Sequence, residues 1–533
     1  MSFVPNSNQQ ITLNDSMFQL TARERKFLDK SWAKVFAEKI FPAIREEDFA
    51  VLYSSKISRP NTPVNVIVGA LILKEALGVT DDELVEALMF DIRYQYALHT
   101  TSFEEQPLSD RTLSRFRARC LSYETETGID LIHMCITGLA KEISEFMGIS
   151  PNMQRMDSIM VAANIRKLSQ LELFYTCVSN LAKVMVSRGL CLPEHLKHYT
   201  EKDDMNRIVY HERKQDMGKR ISTVISDSEE LLASCDGGFD DTSEYQLLIR
   251  LLKEQTIFDD GNGKRRLREK KERENPSMHL RNPADPEATF RIKGEEHIGY
   301  VGNIVETVGE CGSVVTDYAY EQNTYSDAQF MRDYLSGQTE PEETVTIVTD
   351  GAYGGSENIR NASLKGFRLI PTNFTTSIPE SVFADFVFNE EGTELLTCAN
   401  GKKPVDINYT GGKYLCTAKF ELNDCINCPY CSTCNPKLQK RFASKTLSWK
   451  TVDRAKMGLF MQTEEFVELA HFRNGVEAIP SLLRRKYNVD RIPAHGKRQS
   501  KLHFGFKIGA INFKKLLDYY SSQEKCAFKK KVA

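Results

Sequence analysis

The run Thr344 to Thr349, TVTIVT, is followed at once by Asp350-Gly351-Ala352-Tyr353. A short apolar stretch rich in β-branched residues and bounded by a turn reads as a buried strand. Its neighbours fix the fold class. Met156 to Ala163 reads as a strand with Asp157 near its start. Gly299 to Val305 and Ser313 to Tyr318 read as a β-hairpin around Gly309–Gly312, Ser326 to Leu335 as a helix, and Phe367 to Pro371 as a further strand after another helix. Strand, hairpin, helix, strand, helix, strand is an α/β pattern with a mixed sheet flanked by helices. Ligand sites in such sheets lie at strand C-terminal ends, which is where Asp350 falls.

The rest of the 533 residues divides around this pattern. Residues 1–20 are polar and read as a flexible N-terminus. Residues 21–150 are helical: Asn65 to Leu77 carries a broad apolar stripe, Gly78 stops it, and Thr80-Asp81-Asp82-Glu83 opens the next helix as a capping box. A helix beginning after Ser109 or Asp110 turns Leu113, Phe116 and Cys120 inward and leaves Arg111, Arg115 and Arg119 outward. Such a unit fits a DNA-binding module of the helix-turn-helix kind, and equally a helical bundle with charges for solubility. The sheet pattern occupies 151–188 and 286–371. Between them, 189–285 is a polar and helical insertion that ends in the basic run GKRRLREKKER of residues 263–273. Residues 372–440 are loop-rich and cysteine-rich, 441–520 are helical in pieces, and 521–533 form a basic tail containing Lys529, Lys530 and Lys531.

Net charge is only −3, so the whole-chain balance does not announce a nucleic-acid binder, but the basic residues are bunched. No signal-peptide pattern opens the chain, and no apolar stretch is long enough to span a bilayer. Thirteen cysteines, most of them scattered through apolar segments, fit a reducing cytosol.

Near the C-terminus stands Arg473-Asn474-Gly475-Val476-Glu477, with Arg484 seven residues on. On a helix these three charged residues share one face, beside an apolar face of Phe466, Leu469, Val476, Ile479 and Leu483. Alone, Arg473 and Glu477 read as a surface pair at i,i+4. Behind Asp157 and Asp350 they acquire another meaning. Three carboxylates gathered from distant segments can hold two divalent ions about 3.5–4 Å apart, which clamp the attacking and leaving oxygens of a phosphodiester. Pro480 removes a helical bond to Val476, so a kink is expected just after Glu477.

Cys425, Cys428, Cys431 and Cys434 lie within ten residues, with Cys416 and Cys398 upstream. Structural Zn²⁺ is the leading reading, with Cys416 able to replace one of the four; an iron–sulfur cluster and free thiols stay open.

The ordered motifs resemble an insertion-sequence transposase of the DDE class, and within it family eleven-eighty-two. The resemblance covers most of residues 35–520. It is carried by Leu108-Ser109-Asp110-Arg111-Thr112-Leu113, by Met156-Asp157-Ser158 with Val161 to Leu173, by Asp285-Pro286-Glu287-Ala288 and Gly299-Tyr300, by Thr349-Asp350-Gly351-Ala352-Tyr353, by Arg473-Asn474-Gly475-Val476-Glu477, and by Arg491 with Gly496. Related transposases often carry Tyr where Ala470 stands and Lys where Arg484 stands. The resemblance implies a ribonuclease-H-like α/β core, an all-α N-terminal domain that binds DNA, a helical insertion and a Cys-rich insertion. It implies Asp157, Asp350 and Glu477 as catalytic ligands of two Mg²⁺ (or Mn²⁺) ions. Phosphate contacts are expected from Arg473, Arg484, Arg111, Arg115, Lys497 and Arg498. The implied partners are double-stranded DNA, as terminal inverted repeats and target, and a second subunit in a homodimer, with no membrane. The implied location is the bacterial cytoplasm, at the nucleoid. The rival expectations are a catalytically inactive DNA-binding derivative and a metal-dependent nuclease without strand transfer.

Overall fold

The computed structural model describes all residues except 7–14, 55, 57, 211–216, 236, 260–262, 374–376 and 533; the side chains of 210, 413 and 524–532 are also outside the description. Lys529, Lys530 and Lys531 therefore fall outside the described side chains, and residues 7–14 of the polar N-terminus fall outside the described residues.

The N-terminal region is all helical. After α1 (Ala22–Asp29) and α2 (Trp32–Val35) come α3 (Val64–Leu77), α4 (Asp81–Phe90), α5 (Ile92–Ala97), α6 (Asp110–Thr127) and α7 (Leu131–Met147). The local signals work as expected. Gly78 ends α3 in the left-handed region at φ 72°, and Thr80 with Glu83 forms a complete capping box on α4. Ten consecutive residues of α3 are buried, so this helix is enclosed rather than amphipathic.

A six-stranded mixed sheet follows. Its strands are β1 (Met153–Ala162), β4 (Thr289–Lys293), β5 (Glu295–Gly309), β6 (Gly312–Gln322), β7 (Val345–Thr349) and β8 (Phe367–Pro371). The order is β4-β5-β1-β7-β8, with β6 on the edge of β5 opposite β1. β1, β7 and β8 run parallel, while β5 is antiparallel to β1, β4 and β6. One face packs against α11 (Asp327–Gly337) and α12 (Ser356–Leu364) through Met156, Met160, Val301, Phe330, Met331 and Tyr353.

The chain leaves the sheet twice. Between β1 and β4 it forms α8 (Gln170–Ser187), α9 (Met217–Ala233), α10 (Ser243–Gln255) and a small hairpin of β2 (Thr256–Phe258) and β3 (Arg265–Leu267), with its own apolar core. The basic run expected to close a helical insertion is thus partly a strand. Its arginines are engaged by neighbouring groups: Arg265 pairs with Glu229 at 2.8 Å, Arg266 with Glu272 at 2.8 Å, and Arg268 donates to the Thr256 carbonyl at 3.0 Å. The second excursion adds β9 (Val387–Phe388) paired with β10 (Leu395–Thr397), then a four-stranded sheet in the order β11-β12-β14-β13. These strands are β11 (Asp406–Thr410), β12 (Leu415–Glu421), β13 (Lys437–Leu438) and β14 (Phe442–Leu447), with α13 (Leu422–Ile426) and α14 (Cys431–Cys434) between β12 and β13. The Cys-rich unit therefore runs to Leu447, past the expected boundary at 440.

After α15 (Trp449–Phe460), α16 (Glu464–Asn474) and α17 (Ala478–Arg485), the chain ends in one helix, α18 (Lys497–Val532), rather than in pieces. From Leu502 to Phe513 every residue of α18 is buried, because the helix lies between the N-terminal helices and the sheet. Phe36 meets Phe513 edge-on at 5.0 Å on one side. On the other, the Asn512 amide donates to the Val315 carbonyl and accepts from the Val315 N–H, both at 2.8 Å. That pair falls beside the register shift between Val305 and Glu306, where the ladder leaves backbone groups in need of partners. No described helix is long and apolar enough to cross a membrane.

Candidate active site

Asp157 and Asp350 are brought together by register. β1 pairs with β7 from Met153↔Thr346 to Met156↔Thr349, so the same register carried one step further sets Asp157 level with Asp350, which lies just past the end of β7. Asp157 is the fifth residue of a ten-residue strand, deeper than its expected place near the start. Asp350 caps the 3-10 turn Gly351–Tyr353, and its Oδ1 accepts the Gly351 N–H at 2.8 Å.

Glu477 arrives from the C-terminal helices. α16 stops at Asn474, residues Gly475–Glu477 form a 3-10 turn, and α17 resumes at Ala478. The break spans Gly475 to Glu477, whereas the sequence put a kink just after Glu477. Pro480 is the third residue of α17, where the N–H lacks an intrahelical partner in any case, so the proline is accommodated there. Of the expected apolar face, Phe466, Val476, Ile479 and Leu483 are buried and Leu469 is half-buried.

Arg473 ties the two sides together. Its Nη1 donates to Glu477 Oε1 at 2.8 Å, and its Nη2 is 3.9 Å from Asp157 Oδ1. Burial pushes the Asp157 carboxyl above its ordinary range, with Asp327 adding to the shift, against the opposing pull of Arg473, the Ser158 N–H and Lys293. Tyr353 lies beneath, its hydroxyl donating to Asn303 Oδ1 at 2.7 Å, and its own pKa is raised by burial and by the charges of Asp327, Asp157 and Asp350.

The other basic residues are dispersed. Arg484 donates to the Met160 carbonyl at 3.0 Å and pairs with Asp490 at 3.3 Å, so it braces β1 from α17. Lys497 pairs with Glu321 at 2.8 Å, and Arg498 reaches Thr125 Oγ1 at 3.4 Å. Arg111 and Arg115 are exposed on α6, and neither has an ion pair among the described residues. Sequence reasoning missed Arg155, Glu306 and Lys515, a buried charge group in which Glu306 pairs with both cations. The period of two along β1 pointed to the first, since Arg155 and Asp157 share a face.

Cys398, Cys425, Cys428, Cys431 and Cys434 line one small cavity of about 30 Å³ together with Lys445 and Asp424. Burial and the neighbouring thiols push Cys425 up to about 11. Cys416 does not line it. The alternation of β12 turns Cys416 into the core beside Ala418 and Phe420, fully buried, whereas Cys398 lines the cavity with the other four. Among the described residues, no three His, Cys, Asp or Glu side chains stand ready-made around one metal position, in either cluster.

Residues 397–517 match the family model of a transposase DDE domain, and residues 24–119 match that of a transposase domain, DUF772. These two matches indicate an insertion-sequence DDE transposase. A DDE transposase cuts DNA and transfers the cut strand, so this transposase is an enzyme with a DNA substrate. The matched DDE segment holds Glu477 and four of the cavity-lining cysteines from Cys425 to Cys434, together with Cys398. No curated protein and no solved structure matches the transposase.

Proposed function

We propose that the transposase binds the inverted-repeat ends of its insertion sequence, cleaves the DNA and joins the freed 3′ end to a target, all at Asp157, Asp350 and Glu477. The observation that carries this reading is the register of β1 and β7, which sets the two aspartates level, together with the Arg473 guanidinium between Asp157 and Glu477. The strand order β6-β5-β1-β7-β8 supports a ribonuclease-H-like core with two insertions.

The donor chemistry fits divalent ions. All three candidate ligands are carboxylates, the set Mg²⁺ or Mn²⁺ prefers, and a cation already stands where their charges gather. Asp157, Asp350 and Glu477 would hold two such ions, which would activate a water or a 3′-hydroxyl and stabilise the leaving oxygen. Arg473 orients Glu477 and offsets the charge on Asp157. Exposed Arg111 and Arg115 on α6 contact phosphates of the end DNA, and Arg484, Lys497 and Arg498 do so once DNA competes for them. The thiols of Cys398, Cys425, Cys428, Cys431 and Cys434 fit a structural Zn²⁺. Two ends are joined in one complex, so the working form is a homodimer acting on chromosomal DNA in the bacterial cytoplasm, at the nucleoid.

The test is a supercoiled plasmid with and without the ends. End-dependent, Mg²⁺-dependent nicking and joining is expected, lost in Asp350→Asn while end binding persists. Unchanged cleavage by Asp350→Asn would sink the assignment, and nicking indifferent to the ends would make the protein a nuclease.

A further inference from the structure

We infer that Arg155 is a positioning residue that docks the Glu477 turn onto the strand of Asp157, a role resting on the site proposed above. Arg155 precedes Asp157 by two residues on β1 and so lies on the same face. Its side chain is only 13% exposed. Nε donates to Glu306 Oε2 at 2.5 Å, and Nη1 donates to the Phe472 carbonyl at 2.9 Å. The guanidinium also lies 5.3 Å from the centroid of the Phe472 ring.

The anchor of this arrangement is Glu306, which faces Arg155 across the β1–β5 ladder and has no exposed side-chain surface. Burial opposes its charge, but Lys515 and Arg155 outweigh burial and hold the carboxyl below its usual range. Lys515 comes from α18, 2.6 Å from Glu306 Oε1 and 2.6 Å from Ser313 Oγ. One buried carboxylate thus faces two cations. The surplus positive charge is presented to the C-terminal end of α16, where carbonyls lack helical partners and the helix dipole is negative. Arg155 supplies both the donor and the charge.

The contact also accounts for Gly475. A Cβ at that position would stand 1.9 Å from Arg155 Nη1. A long side chain in open space would simply move aside. Arg155 cannot do so without leaving Glu306 short of a partner, which is costly for a buried charge. Glycine therefore lets the turn close onto the guanidinium. The residues fixed in this way, 472 to 475, are those from which Arg473 and Glu477 project toward Asp157.

Amide hydrogen exchange of the full-length, metal-free protein tests the docking directly, and cleavage of an end-containing plasmid tests its consequence. Arg155→Lys keeps the charge but lacks the fork that spans Glu306 and the Phe472 carbonyl. Both Arg155→Lys and Gly475→Ala should speed exchange at residues 473–478 by about tenfold while β5 and β6 keep their protection. Cleavage should fall by about 10²-fold, and the Mg²⁺ concentration for half-maximal rate should rise, with end binding unchanged. Wild-type exchange at 473–478 in folded Arg155→Lys, or wild-type cleavage by Gly475→Ala, overturns the inference. If Arg155→Lys does not fold, Gly475→Ala decides alone. Glu477→Gln is the control: full cleavage by it would remove the catalytic site, while the exchange data would still report on the docking.

Discussion

Arg473 donates a 2.8 Å hydrogen bond to the Glu477 carboxylate. The Arg473 side chain is 11% exposed, whereas that of Glu477 is 60% exposed. A mostly buried cation therefore anchors a mostly solvated anion, and the same guanidinium is 3.9 Å from Asp157. Arg473→Gln should leave end binding near the wild-type level and slow cleavage by about 10²-fold at saturating DNA, because Glu477 loses its orientation. Measuring binding by gel shift and nicking on the same plasmid separates this from a phosphate-contact role. In that case affinity would drop and saturating DNA would restore the rate.

Arg111 and Arg115 point outward from α6 without internal ion pairs among the described residues. The double substitution to alanine should weaken end binding by about tenfold and reduce the slope of log affinity against log salt by about 2, one for each lost phosphate contact. A salt titration with unchanged affinity and slope would remove α6 from the DNA interface.

The thiol cavity predicts different consequences for two cysteines. Purified protein should carry about one zinc per chain, and chelation should lower its melting temperature. Cys398→Ser should lose the metal because Cys398 lines the cavity. Cys416→Ser should keep it and cost only about 1 kcal/mol, because Cys416 is a small buried residue of β12. Metal analysis of the native protein that finds no zinc would dismiss the ion.

Glu75 sets an acid limb of stability. Burial raises its pKa, but the His503 hydrogen bond and the Lys507 and Lys74 charges prevail and lower it from 4.5 to about 2. A folded-state pKa below the unfolded one contributes stability above about pH 4.5 that is lost as pH falls toward about 2. Lys507 Nζ is 2.6 Å from Glu75 Oε2, so this pair fastens α18 to α3. Glu75→Gln should destabilise the protein at pH 7 by about 2–3 kcal/mol and flatten the loss between pH 4.5 and 2, as read from denaturant midpoints. An unaltered acid limb would refute the assignment.

β7 and Asp350 were legible in sequence because a β-branched run ends in a turn, and both facts are local. The start of β1 was not. Gln154 and Arg155 look unlike strand residues until Tyr334 and Glu306 supply their partners from elsewhere in the chain. The same holds for the break at Gly475, which answers to Arg155 some 300 residues away in sequence. Cys398 was passed over in favour of Cys416 because chain spacing says nothing about which side of β12 a thiol faces. The short strands of the Cys-rich unit carry too few residues for a period to show, and α18 lacks one because it is enclosed on every side from Leu502 to Phe513.

That enclosure ties the N-terminal helices and the six-stranded sheet to one shared helix. Lys507 and Phe513 are fitted to Glu75 and Phe36, while Asn512 on the same helix is fitted to Val315. A chimaera that takes residues 21–150 from another transposase to redirect it to new DNA ends would bring partners for the wrong helix. Retargeting by graft therefore has to exchange the facing residues of α18 along with the N-terminal helices, or confine itself to outward positions of α6.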